Sequence, residues 1–354
     1  MHKKFRIRFG FSRSDNLKSK IQNIQNLKWL GLSIIAFVLV VLVAVAQAQQ
    51  TRKIVRIGFL DPSTASGSAD PLDVFRQEMS KLGWIEGKNI AIEYRFAEQK
   101  NERLPELAAD LVRLKVDLIV VPGGPSALAA KSAATIIPIV MANAADPVGA
   151  GLVASLARPG GNVTGLASLS PELNTKRLEI LKDAVPKLSR VGLLRPPGGG
   201  VSVEVQLKAL RAAAVALKVK LEEIETQLDA KSLGSAFQTV KEKQVDAIMT
   251  TTTPRFFAER KRIVELAAKY RLPAIYFQRE FVDEGGLISY GADYNDLYRR
   301  AAVYVDKILK DAKPADLPVE QPKKFEFIIN LKAAKQIGLT IPNRVLERAN
   351  KVIR

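Results

Sequence analysis

The segment Val121-Pro122-Gly123-Gly124-Pro125-Ser126 runs an apolar stretch into two glycines and a hydroxyl at the entry to a helical pattern. Unpaired backbone amides at a helix N-terminus attract anions, so Gly124 and Ser126 mark a place where a carboxylate could be held. Simple capping of the helix is the alternative role for Ser126. In open α/β sheets, ligands lie beyond the carboxyl ends of the strands. That rule nominates the loops Asp61 to Thr64, Gly123 to Ser126, Asn143 to Asp146, Pro196 to Gly199, Thr251 to Arg255, Phe277 to Glu280 and Tyr290 to Asp293. They offer hydroxyls (Ser63, Thr64, Thr252), an amide (Asn143), charges (Asp146, Arg279, Asp293) and rings (Phe277, Tyr290), the lining of a small-ligand cleft. In the simplest division of labour, Ser126 and its neighbouring amides hold an anionic group. Asp146 or Asp293 then holds a cationic one, and Phe277 or Tyr290 covers an apolar portion.

Catalysis is constrained by what is missing. The chain has no cysteine, and its single histidine is His2. Without a His or Cys beyond the first residues it cannot build a Ser-His-Asp triad, a Cys-His pair or a Cys/His zinc site. Carboxylate chemistry survives, so an enzyme using Asp61 and Asp146 is the least favoured alternative. No cofactor and no metal are expected. Gly83-Trp84-Ile85-Glu86-Gly87-Lys88-Asn89 resembles a phosphate loop, but its glycine spacing is one residue short and Asn89 replaces the magnesium-binding hydroxyl.

The elements that must position these loops alternate. Short apolar or β-branched runs begin at Ile54, Ile90, Leu118, Ile139, Val191, Leu221, Ala247, Ala274 and Phe325. Amphipathic stretches lie between them, among them Pro71 to Leu82, Leu104 to Leu114, Leu173 to Val185, Val203 to Leu217, Phe256 to Tyr270 and Asn295 to Leu309. Such alternation predicts an α/β fold of parallel sheets flanked by helices. Two segments echo each other: Val116-Asp117 before one strand and Val245-Asp246 before another, each followed by a Pro-led strand at Pro138 or Pro273. This argues for two similar α/β domains, with the turn-rich Arg158 to Gly165 as a crossover.

The N-terminus reads as an export signal. A basic stretch ends at Lys28, an apolar run spans Leu30 to Val45, and Ala46-Gln47-Ala48 suits a signal peptidase. Cleavage after Ala48 is favoured over retention as an anchor. Of 54 Lys and Arg and 36 Asp and Glu, 8 and 1 lie in residues 1–48, leaving a net charge of +11 on the remainder. Those charges are interleaved, as in Lys241-Glu242-Lys243, and aromatics are sparse at 6%, so nucleic acid is not an expected partner.

Several blocks carry a more specific signal: Gly83 to Ile90, Asp146-Pro147-Val148, Ser155 to Gly165 (Ser-Leu-Ala-Arg-Pro-Gly-Gly-Asn-Val-Thr-Gly), Gly285 to Gly291, Pro314 to Pro322 and Ile329 to Lys332. With them the chain resembles the bacterial ABC transporter substrate-binding proteins of the group that includes tryptophan- and phenylalanine-binding members. The resemblance implies a type I periplasmic binding fold: two Rossmann-like domains joined by three crossovers and closing on a ligand by a hinge. It implies one lobe from 52–161 plus 291–324 and a second from 162–290 plus 325–354, after a signal or anchor at 1–48. It also implies a monomeric, non-catalytic, periplasmic protein that carries a small molecule, an amino acid or an aromatic or carboxylated compound, to an ABC permease of the inner membrane. A membrane-anchored ligand sensor, touching the membrane through an uncleaved leader, is the alternative.

Overall fold

The computed structural model describes residues 54–354 apart from Gly199; the leader expected at 1–48 lies outside the described residues. A first sheet has the order β2-β1-β3-β4-β5, all parallel, from β1 (Val55–Asp61), β2 (Ile90–Phe96), β3 (Leu118–Val121), β4 (Ile139–Ala144) and β5 (Val163–Ala167). A second sheet combines β6 (Arg190–Arg195), β7 (Lys220–Glu225), β8 (Ala247–Thr250), β9 (Ala274–Tyr276), β10 (Ile288–Ala292), β11 (Phe325–Asn330) and β12 (Lys351–Ile353) in the order β12-β11-β10-β9-β8-β6-β7. Only its β10–β11 pair is antiparallel. Every residue of β3 and of β8 is buried, which is why these strands read as unbroken apolar runs with helices on both sides.

The paired Val-Asp signals have a shared physical cause. Asp117 lies just before β3, and its Oδ2 accepts the Arg56 amide of neighbouring β1 at 2.8 Å. Asp246, just before β8, accepts the Ser189 and Arg190 amides beside β6 at 2.8 Å. The Pro-led strands match as well: the Pro138 carbonyl takes the Ile119 amide at 2.8 Å, and the Pro273 carbonyl takes the Ile248 amide at 2.9 Å. Each carboxylate satisfies amides that would otherwise be unpaired at a strand start.

Helices α1 (Ala69–Lys81), α2 (Leu104–Arg113) and α3 (Gly124–Ala133) belong to the stretch that builds the first sheet. The second-sheet stretch carries α4 (Ser170–Ala184), α5 (Gly200–Ala216), α6 (Ala230–Glu242), α7 (Pro254–Ala258), α8 (Arg260–Lys269) and α9 (Glu280–Asp283). The chain then returns through α10 (Tyr294–Leu309), which packs on α1 and β4, and ends with α11 (Leu331–Ile337) and α12 (Asn343–Leu346). The single helix expected over Phe256 to Tyr270 is two, broken at Glu259.

Two crossovers run side by side, where the Asp293 amide donates to the Lys324 carbonyl at 3.1 Å. The remaining one falls later than the sequence suggests. Val163–Ala167 pairs with β4 in the first sheet, Ile139 opposite Val163, and the Ala167 amide bonds the Glu320 carbonyl at 2.9 Å. The turn-rich run Arg158–Gly161 therefore feeds a strand of the same sheet. Among the described residues, no helix is long and apolar enough to cross a membrane.

Candidate functional site

A cleft of about 810 Å³, open mouth included, lies where the carboxyl ends of both sheets meet. The first-sheet half contributes Asp61 and Pro62 after β1, Gly123 to Pro125 after β3, and Asn143 and Ala145 at the end of β4. From the other half come Pro196 after β6, Thr252 to Arg255 after β8, and Phe277 and Gln278 after β9. Phe257, Tyr294 and Tyr298 supply further rings. The Phe277 ring sits 5.1 Å from Phe281 and 6.4 Å from Tyr294, so the aromatic floor is packed and its rings are held in place.

Asp61 is 1% exposed. Its Oδ1 accepts the Ser63 amide at 2.7 Å, and the Ser63 hydroxyl pairs with that of Ser68 at 2.6 Å. Burial pushes this carboxyl above its ordinary range, and the Ser63 and Ser68 hydrogen bonds only partly offset that. Its negative charge in turn adds to the burial that keeps the Tyr298 phenol protonated. Among the described residues Asp61 has no ion-pair partner within 4.0 Å, although a buried carboxylate ordinarily requires one.

Arg255 is the complementary group. It is 5% exposed, burial holds its basicity below the ordinary arginine value, and its Nη1 donates to the Pro197 carbonyl at 3.2 Å. Its Nε has no hydrogen-bond partner among the described residues. The neighbouring Thr252 is fixed from behind: its amide donates to Gln206 Oε1 at 2.8 Å and its carbonyl accepts from Gln206 Nε2 at 3.1 Å. Arg177, 1% exposed, donates to Thr252 Oγ1 at 3.1 Å, to the Tyr290 carbonyl at 2.6 Å and to Asn174. Burial pushes this guanidinium down to about 10. One buried cation thus ties the loop after β8 and strand β10 to α4.

Of the residues nominated by sequence, Gly124, Asn143, Thr252 and Phe277 come together in the cleft. The rest are committed elsewhere. The Ser126 hydroxyl donates to the Gly123 carbonyl at 2.8 Å, Thr64 accepts the Gly67 amide at 3.1 Å, and Ser63 supports Asp61 from outside the lining. Asp146 takes the Gly149 amide at 2.8 Å, and Asp293 caps α10 by accepting the Asp296 amide at 3.0 Å. Arg279 pairs with Glu326 at 3.3 Å and Asp283 at 3.5 Å, and the Tyr290 ring packs edge-on to Phe327. The charged groups of the cleft are Asp61 and Arg255, both inside nominated loops; neither is among the nominated ligand contacts, and Asp61 is named from sequence only for the least favoured, enzymatic reading. The rings Tyr294 and Tyr298 were legible only as positions i and i+4 of one helix.

Glu280 lies two residues past Gln278, with its Oε2 unpartnered among the described residues. Burial is the main cause that pushes it up to about 7 from an ordinary 4.5, with Asp283 adding and Arg279 and Arg260 opposing. The fold therefore favours its protonated form. That contribution is whole below pH 4.5 and is lost as pH rises through 7. Glu280→Gln is expected to be more stable than the parent by about 2 kcal/mol at pH 8 and nearly equal to it at pH 4, read by urea unfolding at both values.

A family model for ABC transporter substrate binding proteins matches residues 71–353. The tyrosine-binding protein of Clostridioides difficile is 30% identical over 267 residues, 75% of each chain. A conserved domain protein of Vibrio cholerae, with 30% identity, superposes with a TM-score of 0.77 over 85% of this chain and 100% of its own. The ABC domain of Streptococcus pneumonia in complex with L-Trp, 27% identical, gives 0.75 over 84% and 99%. At lower identity the same two-sheet architecture recurs in periplasmic binding proteins. With a type I periplasmic binding fold and a cleft between its sheets, the chain belongs to the ABC transporter substrate-binding protein family.

Proposed function

We propose that this protein captures a free α-amino acid with an aromatic side chain outside the cytoplasm and delivers it to an ABC permease. The observation that carries this reading is the pairing, across one cleft, of a buried unpaired carboxylate (Asp61) with a buried guanidinium whose Nε is free (Arg255), beside a floor of rings. A zwitterion with an apolar side chain satisfies all three at once: its ammonium meets Asp61 and its carboxylate meets Arg255. The amides at Gly123 and Gly124 assist the carboxylate, while Phe257, Phe277, Tyr294 and Tyr298 pack on the ring. The tyrosine-binding relative and the L-Trp complex support the aromatic class. Under the same reading, residues 1–48 direct export and are removed after Ala48, which N-terminal sequencing of the exported protein checks.

Thermal unfolding of residues 49–354 with the twenty amino acids, sugars and nucleosides tests the ligand class. Tyrosine, tryptophan or phenylalanine at a hundred times its dissociation constant should stabilise the protein by about 2.7 kcal/mol. Tyramine, which lacks the carboxylate, and 3-(4-hydroxyphenyl)propionate, which lacks the ammonium, should give no shift. A sugar or nucleoside hit, or equal binding of either truncated analogue, overturns the reading.

A further inference from the structure

The turn that carries Arg255 also reaches the opposite half of the molecule. Within six residues the chain passes from Arg255 and Phe257, which line the cleft, to Ala258, Glu259 and Arg260, which all touch the first-sheet half. Glu259 Oε1 accepts from Gln99 Nε2 at 2.9 Å, across 160 positions of sequence. Arg260 Nη2 donates to Asp70 Oδ2 at 2.8 Å, across 190. Ala258 approaches so closely that a Cβ added at Gly67 would lie 2.4 Å from its own Cβ. The Arg260 guanidinium is also stacked on the Phe257 ring, 4.6 Å from its centroid, and its Nε lies 3.5 Å from Glu284.

We infer that Arg260 is a positioning residue for ligand retention, bridging the ligand-facing ring of Phe257 to Asp70 on the other half so that the occupied cleft is held shut. The inference rests on the amino-acid reading for its ligand, not for its geometry. Within its own half Arg260 is held by the Phe257 ring and Glu284, and with Asp70 engaged its side chain is 19% exposed. Asp70 is 55% exposed and belongs to the first turn of α1, where a negative charge is favoured by the helix dipole. A ligand ring that orders Phe257 therefore orders the cation stacked on it, and the ion pair forms only when the halves meet. Coupling of this kind acts on dissociation more than on association.

The test follows release of labelled L-tyrosine from Arg260→Ala, Asp70→Asn and the double variant. Each single change is expected to speed dissociation about fivefold, the size of one partly exposed ion pair. The double variant should dissociate no faster than the worse single one, and the swapped pair Asp70→Arg with Arg260→Asp should recover part of the loss. Gly67→Ala, which keeps both charges, should also speed release, because its methyl group meets Ala258 and keeps the halves apart. Unchanged release, or additive effects in the double variant, overturns the inference. Failure of the parent to bind tyrosine overturns the amino-acid reading instead. The bridge is then read by X-ray scattering: expansion of Arg260→Ala and Asp70→Asn alike supports it, and unchanged dimensions overturn it.

Discussion

Asp61→Asn is expected to lose amino-acid binding by about a hundredfold or more while making the empty protein more stable. The binding loss follows from removing the one carboxylate that, among the described residues, lines the cleft; truncating one partner of a buried charged pair costs about 2–5 kcal/mol. The stability gain follows from the same burial. Asp61 is held above the ordinary carboxylate range, so the fold prefers it protonated, and its stabilising contribution, present at low pH, fades as pH rises through that raised value. Asparagine keeps an acceptor for the Ser63 amide, 2.7 Å away in the parent, and removes the ionisation. In the parent, binding should weaken on acidification sooner than an ordinary aspartate would predict, because protonation removes the ammonium's partner. Calorimetric titration with tyrosine across pH and urea unfolding of both proteins are the measurements. Intact binding in Asp61→Asn would exclude this residue as the ammonium site, and a less stable variant would show that its charge supports the fold instead of burdening it.

The same contrast explains how far sequence reasoning reached. Strands buried on both faces announce themselves as unbroken apolar runs, and the paired Val-Asp and Pro signals mark strand starts whose amides need a neighbour's carboxylate or carbonyl. Loops at strand ends were therefore legible as a set. Which side chain of each loop faces the cleft was not, since one short polar residue can cap a turn or meet a ligand with the same spacing. Ser126, Asp146 and Asp293 each bond to a backbone group within three residues, an outcome decided by local backbone angles. Asp61 and Arg255 differ in being buried without an ion-pair partner among the described residues, a property of the assembled halves. β5 escaped for another reason: it carries Gly165 at φ +128°, where a Cβ would lie 2.1 Å from the Met141 carbonyl oxygen, so a strand with a glycine in it read as a turn.

Gly291→Ala should be among the most damaging single methyl additions to this protein. A Cβ there would lie 2.0 Å from the carbonyl oxygen of Phe277 and 3.4 Å from Arg177 Nη2. Neither can give way cheaply. The first is backbone at the end of β9, and the second belongs to the buried guanidinium that holds the Tyr290 carbonyl and Thr252. Overpacking against backbone costs about 3 kcal/mol, which in a protein of this size lowers Tm by about 5 °C. The strain would move Phe277 and Thr252 together, so tyrosine affinity should fall with stability. Gly234→Ala is the matched control: within α6, nothing lies within 4 Å of its added Cβ. There the change should stabilise by about 0.5–1 kcal/mol through helix propensity and leave binding untouched. Thermal unfolding and tyrosine titration of the two variants separate the cases. Equal behaviour would mean that β10 can slide away from β9, and that the floor of the cleft is not fixed by the close approach of those two strands.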